Sequence, residues 1–457
     1  MQIIWKEHEH IDCSSLDAHL WKAVKNRLDS KRDADKYDRI SGNKNKDSLE
    51  NLDLLGIKYE YQLDELQAGY YVGSTWIDKS KDCSMVIMPK YDSLDFMKMF
   101  MICFKNKDIG NYVEKMFYIN VNDKPIPILQ DQFEIEPLTI VYFLNLVSEI
   151  VNQGLKKDFV MYSDVLKGKV KGKVLFTEYF RHQVAKRRYD KIPCSYQEYE
   201  CDCLENRIIK KALILCKRYL IRHKKSFAKL ETQIERMADK ALVAFRNVGD
   251  EVYNWELERI HINPIFKYYK LALPLAKMII LNQGLHVNEK VPKGIQLSPP
   301  FIINMPILFE LYVLHLLRNR YGAEEIGYQK MTSDRKNILD FTKLSDKLII
   351  DTKYKKAWED GESTENIRQL SGYARHNDVR HRILNCLDEH FVCPCLILYP
   401  NNENGVLDFE TAPEHWVEDD GTVLFDKIER VDSYQKFYKL GVRLPYNDSL
   451  MADGSSE

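Results

Sequence analysis

The chain has 457 residues, 45% apolar and 30% charged, a globular composition with room for roughly three domains of about 150 residues each. A formal net charge of −1 argues against a protein that coats nucleic acid through its overall field, so any DNA contact falls to local basic patches. No apolar run approaches the ~20 residues of a membrane span, and Met1-Gln2-Ile3-Ile4-Trp5-Lys6-Glu7 has no signal-peptide pattern, so a cytoplasmic location without membrane contact is expected.

In chain order, a short apolar stretch and a helix-like segment around Leu16–Leu28 precede two charge-dense runs, Asp29–Lys36 and Ser41–Asp47, which read as solvated loop. From Ala68 the pattern turns to β: Gly69–Ile77, a Lys/Asp turn, then Cys83–Lys90. Apolar spacing predicts a helix over Pro137–Leu155 that stops at Gly154. In Lys167-Gly168-Lys169-Val170-Lys171-Gly172-Lys173-Val174 every lysine is at an odd position, so a strand would carry them on one face. Such a stripe, with Lys169, Lys171 and Lys173 at its centre, either tracks phosphates or is a solvated face. It is not a phosphate-binding P-loop: the Gly-to-Gly-Lys spacing is too short and Val174 replaces the required Ser/Thr. The chain shows no NTPase motif.

A helix is expected from Cys203 to about Val248. It carries Lys217, Arg218, Arg222, Lys224 and Lys225 and adjoins Arg181, Lys186, Arg187 and Arg188, the most basic region of the chain. A second helix covers Pro264–Gln283, and Pro299-Pro300 ends the helical region. The ten cysteines are scattered; neither Cys201-Asp202-Cys203 nor Cys393-Pro394-Cys395 is a Cys-x-x-Cys, and reduced thiols are expected rather than zinc ligands.

The chemistry gathers further on. Phe309–Arg318 is a helix apolar nearly all round with one carboxylate, Glu310, which needs a cation or a donor. Two β-prone runs, Ile338–Leu344 and Leu348–Tyr354, flank Ser345-Asp346-Lys347 and read as an antiparallel hairpin. Side chains alternate along a strand, so Asp351 and Lys353 leave one face about 7 Å apart. A turn near residue 346 brings Asp340 close to Asp351. Paired carboxylates at the end of an apolar hairpin must pair with a cation or bind a metal, and they suit Mg²⁺, which keeps several waters and takes phosphate oxygens as further ligands. Asp-x-Lys alone is common; the preceding strand carboxylate gives the pattern its weight. Gln369 and Tyr373 stand at i, i+4 on a helix starting near Thr364, so they share a face. Phe391–Tyr399 is apolar enough for a buried strand, and Met451–Glu457 reads as a frayed tail.

Asp340 with Asp351-Thr352-Lys353 resembles the PD-(D/E)xK nuclease core, and Ile349-Ile350-Asp351-Thr352-Lys353-Tyr354-Lys355 is similar to the version in McrC-type restriction subunits. Tyr71-Val72-Gly73, Pro89-Lys90, the Gly-Lys stripe and the Cys203–Leu213 helix start resemble further McrC segments. The likeness covers much of residues 68–400. One departure is Leu339, where the motif usually has proline; that proline is a turn preference and not a ligand. The resemblance implies an α+β multidomain protein ending in a PD-(D/E)xK, restriction-endonuclease-like core with a mixed sheet. Its parts would be a β-rich partner-docking region over 1–125, a mostly helical middle domain with a basic patch over 126–298, the nuclease domain over 299–445 and a flexible tail over 446–457. It also implies that Asp340 and Asp351 hold Mg²⁺ (Mn²⁺ can substitute), that Glu310 assists, and that Lys353 orients the water. Gln369, Tyr373 and Lys355 would steady the scissile strand. The partners implied are double-stranded DNA and a McrB-like AAA+ GTPase or ATPase ring. The alternatives are a stand-alone RecB-like repair nuclease and a non-catalytic scaffold that activates an NTPase.

Overall fold

The computed structural model describes residues 2–28, 54–60, 62–80, 82–91, 94–105, 112–120, 123–129, 135–222, 231–258, 265–285, 295–355, 364–388 and 390–446. The charge-dense runs at 29–47 and the tail after 446 lie outside them. Among the described residues no helix is long and apolar enough to cross a membrane. The chain forms two compact units, one built from Met1–Phe133 with Gly294–Glu457 and the other from Glu134–Lys293. The segments expected as docking region and nuclease domain thus share one unit.

The first unit starts with β1 (Gln2–Lys6), β2 (His10–Asp12) and helix α1 (18–28), followed by β3 (Lys58–Glu60), β4 (Glu65–Gln67), β5 (Tyr71–Asp78) and β6 (Cys83–Met88). Asp17 starts α1 by accepting the His19 and Leu20 amides at 2.9 and 3.3 Å, an N-cap that satisfies otherwise orphaned donors. Next come α2 (Phe96–Cys103), α3 (Val113–Met116), β7 (Phe117–Ile119) and β8 (Ile126–Leu129). Strands β2, β4 and β3 form a small antiparallel sheet, while β1 pairs in parallel with β6 and β6 in antiparallel with β5. Ile3, Trp5, Met85 and Ile87 point from this sheet into a core shared with Leu54, Leu55 and Leu66.

The second unit holds α4 (Ile135–Gln153), β9 (Asp158–Lys167), β10 (Lys173–Val174), α5 (Phe176–Glu178), β11 (Lys191–Glu200), α6 (Leu204–Arg222), α7 (Glu231–Ala244), α8 (Asn254–Leu257) and α9 (Lys267–Leu285). It is mostly helical, and β9 and β11 add a ten-residue antiparallel ladder from Asp158↔Glu200 to Lys167↔Lys191. Buried Asn206 ties ladder to helices, donating to the Lys156 and Cys201 carbonyls and accepting from Tyr269 Oη at 2.6 Å. The single helix expected from Cys203 to Val248 is instead α6 and α7, with residues 223–230 outside the description. The lysine stripe is also corrected. Gly168 and Gly172 take φ of 65° and 64°, which ends β9 at Lys167 and lets only Lys173-Val174 resume pairing. The four lysines therefore do not share one strand face. At Gly172 a Cβ would fall against the Ser195 carbonyl, so a side chain there is excluded by space as well as by φ.

The chain then returns to the first unit through β12 (Ile295–Ser298), which pairs antiparallel with β8, and β13 (Phe301–Asn304), which inserts between β5 and β7. Helix α10 (Met305–Tyr321) follows, capped by Asn304 accepting from the Ile307 amide at 3.3 Å and closed by Gly322 at φ 88°. The remaining elements are β14 (Ile326–Met331), β15 (Ile338–Lys343), β16 (Leu348–Thr352), α11 (Thr364–Arg375), β17 (Cys395–Pro400), β18 (Glu429–Arg430) and β19 (Phe437–Val442). Their six-stranded sheet runs β14-β15-β16-β17-β19-β18. It is mixed: β14 to β16 form an antiparallel meander, and β16, β17 and β19 are parallel. The turn between β15 and β16 is less wet than its composition suggests. Asp346 is buried, pairs with buried Lys343 at 3.1 Å and accepts the Trp416 amide at 2.9 Å.

Candidate active site

The β15–β16 ladder pairs Phe341 with Ile350. Continuing that register by one residue sets Asp340 across from Asp351. The ladder does not continue there; the Asp340 side chain takes its place, Oδ2 accepting from the Thr352 amide at 2.9 Å and from Thr352 Oγ1 at 2.8 Å. Asp351 is 4% exposed and meets Lys353 Nζ at 2.6 Å. Glu310 reaches the same place from α10, where the side-chain amide of Gln329 on β14 donates to its Oε1. Three carboxylates and one ammonium thus gather from α10 and two strands of one sheet.

The electrostatics follow from burial. Glu310 is pushed up to about 8, by desolvation first and by the Asp340 charge second. Asp351 is pushed up to about 7 by the same two causes, with Lys353 opposing. Asp340 is raised by burial, against the hydrogen bonds from Thr352. Burial pushes Lys353 down, but the adjoining Asp351 outweighs it and the ammonium is held above its usual range. Two facing carboxylates that resist ionising together are what a divalent cation relieves, and hard oxygen donors suit Mg²⁺ or Mn²⁺. Among the described residues no group of three or more His, Cys, Asp or Glu is arranged to hold a metal ion. Asp340 and Asp351 fit a cation that takes its other ligands from water and phosphate. Glu310, engaged by Gln329, borders the pair, whose charges help to raise it.

The family model described as McrBC 5-methylcytosine restriction system component matches residues 66–377. The chain belongs to the McrBC family. It is therefore a component of a McrBC restriction system. Among solved structures it is similar to a refined half-complex from a tetradecameric assembly of Thermococcus gammatolerans McrB AAA+ hexamers with bound McrC. That match has 16% identity and a TM-score of 0.41, and covers 100% of this chain and 97% of the other. The cryo-EM structure of the Thermococcus gammatolerans McrBC complex is similar at 17% identity and a TM-score of 0.29, covering 69% and 87% of the two chains. No curated relative matches.

On α11, Gln369 Nε2 donates to Tyr373 Oη at 2.8 Å, and the Tyr373 phenol is close enough to act on the Lys353 charge. Lys355 is half-buried on the side of His8, whose charge it disfavours. Lys169, Lys171 and Lys173 are exposed in the second unit, Lys173 on β10 opposite Ser195 of β11, with Lys171 paired to Glu198 and 4.4 Å from the Tyr196 ring centroid. Two residues at the carboxylates were not anticipated. Thr352 braces Asp340, and Gln329 braces Glu310; neither carries a charge or spacing that marks it in the sequence, although a buried carboxylate does announce that some donor must exist.

Proposed function

We propose that this McrBC-family chain is the metal-dependent DNA endonuclease subunit of its system, with a PD-(D/E)xK site formed by Asp340, Asp351 and Lys353. It would hydrolyse phosphodiester bonds in cytoplasmic double-stranded DNA while docked on a McrB-like AAA+ NTPase ring. The observation that carries the reading is the convergence of two facing, desolvated carboxylates with an ammonium 2.6 Å from one of them. A division of labour with a motor subunit agrees with the absence of a P-loop from this sequence.

Asp340 and Asp351 would hold Mg²⁺ or Mn²⁺. The bound cation supplies Lewis-acid polarisation of the scissile phosphate and of an attacking water. Thr352 keeps Asp340 turned toward its partner, and Asp351 keeps the Lys353 ammonium at the mouth of the carboxylate pair. There Lys353 orients the attacking water and offsets charge developing on the phosphate. Glu310 would assist by ionising once a cation offsets the neighbouring Asp340 charge, with Gln329 bonded to its Oε1. Tyr373, close to Lys353, and Gln369, which donates to the Tyr373 hydroxyl, would steady the DNA backbone.

The test is cleavage of supercoiled plasmid, methylated and unmethylated, with Mg²⁺ or Mn²⁺ and with or without the AAA+ partner. Wild type, Asp351→Ala and Lys353→Ala run side by side. Partner-dependent cutting that both substitutions reduce by at least ~10²-fold supports the proposal. Equal cutting without the partner points to a free-standing nuclease. Inactivity of all three proteins, with the partner's NTP hydrolysis still stimulated, replaces the reading by a scaffold.

A further inference from the structure

Immediately after the Asp-Thr-Lys segment, the backbone is held by side chains from the far end of the sequence. The Lys353 amide donates to Leu398 O at 2.9 Å and the Lys355 amide to Lys353 O at 2.8 Å, so the chain turns tightly about Tyr354. The Tyr354 carbonyl accepts from Lys90 Nζ at 2.8 Å. The Tyr91 hydroxyl stands 3.4 Å from the carbonyls of Lys355 and of Pro400. Lys90 and Tyr91 lie just beyond β6 of the N-terminal sheet.

The environment of Lys90 is unusual for a lysine. It is 7% exposed, and Glu7 beside it is 3% exposed. Glu7 Oε1 accepts from the Lys90 amide at 3.2 Å and from Tyr354 Oη at 3.3 Å. The Lys90 ammonium lies 3.8 Å from the centroid of the Tyr354 ring, which also meets Tyr91 and Phe309, the residue before Glu310. Burying an ammonium is expensive, and an apolar side chain would fill the space without that penalty. Besides offsetting the Glu7 charge, the lysine adds a directional bond to one carbonyl, next in the chain to Lys353.

We infer that Lys90 is a positioning residue for the nuclease reaction: by anchoring the Tyr354 carbonyl it fixes where the Lys353 ammonium stands against Asp351. The inference rests on the nuclease reading above. Lys353 leaves the backbone at the last point held by the β16–β17 ladder, so its direction depends on how the following residue is tied. Catalytic groups displaced by about 1 Å lose on the order of 10²-fold in rate.

The experiment uses the full chain with its AAA+ partner and compares wild type, Lys90→Met, Lys90→Arg and the double variant Glu7→Gln/Lys90→Met, with Asp351→Ala as control. The double variant removes the buried carboxylate that Lys90→Met alone would leave uncompensated. The readouts are kcat and KM for plasmid cleavage, the thermal midpoint, and hydrogen exchange of the segment spanning residues 351–355. Lys90→Met and the double variant are expected to lose between about 10-fold and about 10²-fold in kcat with KM unchanged. The double variant keeps the wild-type midpoint, exchange rises at 351–355, and Lys90→Arg recovers most of kcat. An unchanged kcat in the double variant overturns the inference while leaving the nuclease reading intact. So does a loss that follows the midpoint or that arginine does not recover. If wild type and Asp351→Ala cut alike, the nuclease reading fails and this inference falls with it.

Discussion

Asp351 and Glu310 are held protonated over part of the ordinary pH range by the water they have lost and by Asp340. The consequence for stability has a definite sign. A carboxyl whose folded pKa is raised contributes stability that is present below its unfolded value, near 4, and lost as pH rises through the folded value. Glu7, pushed up to about 7 by burial despite Lys90, acts in the same direction. His8 is lowered to about 4 by burial and nearby cations, and it removes stability as pH falls below its unfolded value. Metal-free protein is therefore expected to melt at a higher temperature near about pH 6 than near about pH 9. Mg²⁺ or Mn²⁺ should recover more of the loss at the higher pH, and Asp351→Asn should flatten the dependence. Melting curves with chelator and with added cation read this directly; a metal-free midpoint that rises steadily to pH 9 would sink it.

At the scale of elements, the six-stranded sheet presents the carboxylates, and a single crossing anchors α10 beside it. β13 runs between β5 and β7, and its Phe301 carbonyl sits where a side chain on residue 73 would be. Gly73, at φ 150°, is thus required by the close approach of two backbones. Asn304 at the end of β13 is also the cap of α10, so a disturbance at residue 73 reaches the helix that carries Glu310. Gly73→Ala is expected to destabilise by about 3 kcal/mol or more, the range of backbone strain in a packed interior. Gly154→Ala, at φ 94° with open space around it, should lose only about 1 kcal/mol. Denaturant midpoints for the two variants test the contrast, and equal losses would show that the approach of β13 to β5 is not tight.

The whole molecule is one unit with another inserted into it. The chain leaves the first unit after β8 and returns through β12, and these strands pair with Leu129 opposite Ile295. Exit and entry are therefore adjacent, the arrangement in which one domain accepts another as an insertion. Replacing Glu134–Lys293 by a short Gly/Ser linker is expected to leave a protein that unfolds cooperatively and is still stabilised by Mn²⁺. An insoluble or non-cooperative product would mean that the first unit depends on the second for its core. Circular dichroism and calorimetry on the excised protein decide it.

The hairpin with Asp340, Asp351 and Lys353, the apolar helix around Glu310 and the Gln369/Tyr373 pair were legible in the sequence because each is a local pattern. Strand alternation and helical spacing place residues on faces without knowledge of the rest of the chain. The lysine stripe was misread by the same rule, since alternation assumes a continuous strand and Gly168 and Gly172 leave it. What the tertiary structure alone decided are relations between distant segments: β13 in the N-terminal sheet, Gln329 on Glu310, and Lys90 on the carbonyl of Tyr354, 264 residues away. Pairing of strand edges and satisfaction of buried polar groups leave no periodic trace in either partner. They are settled only when two segments meet and each buried donor must find an acceptor.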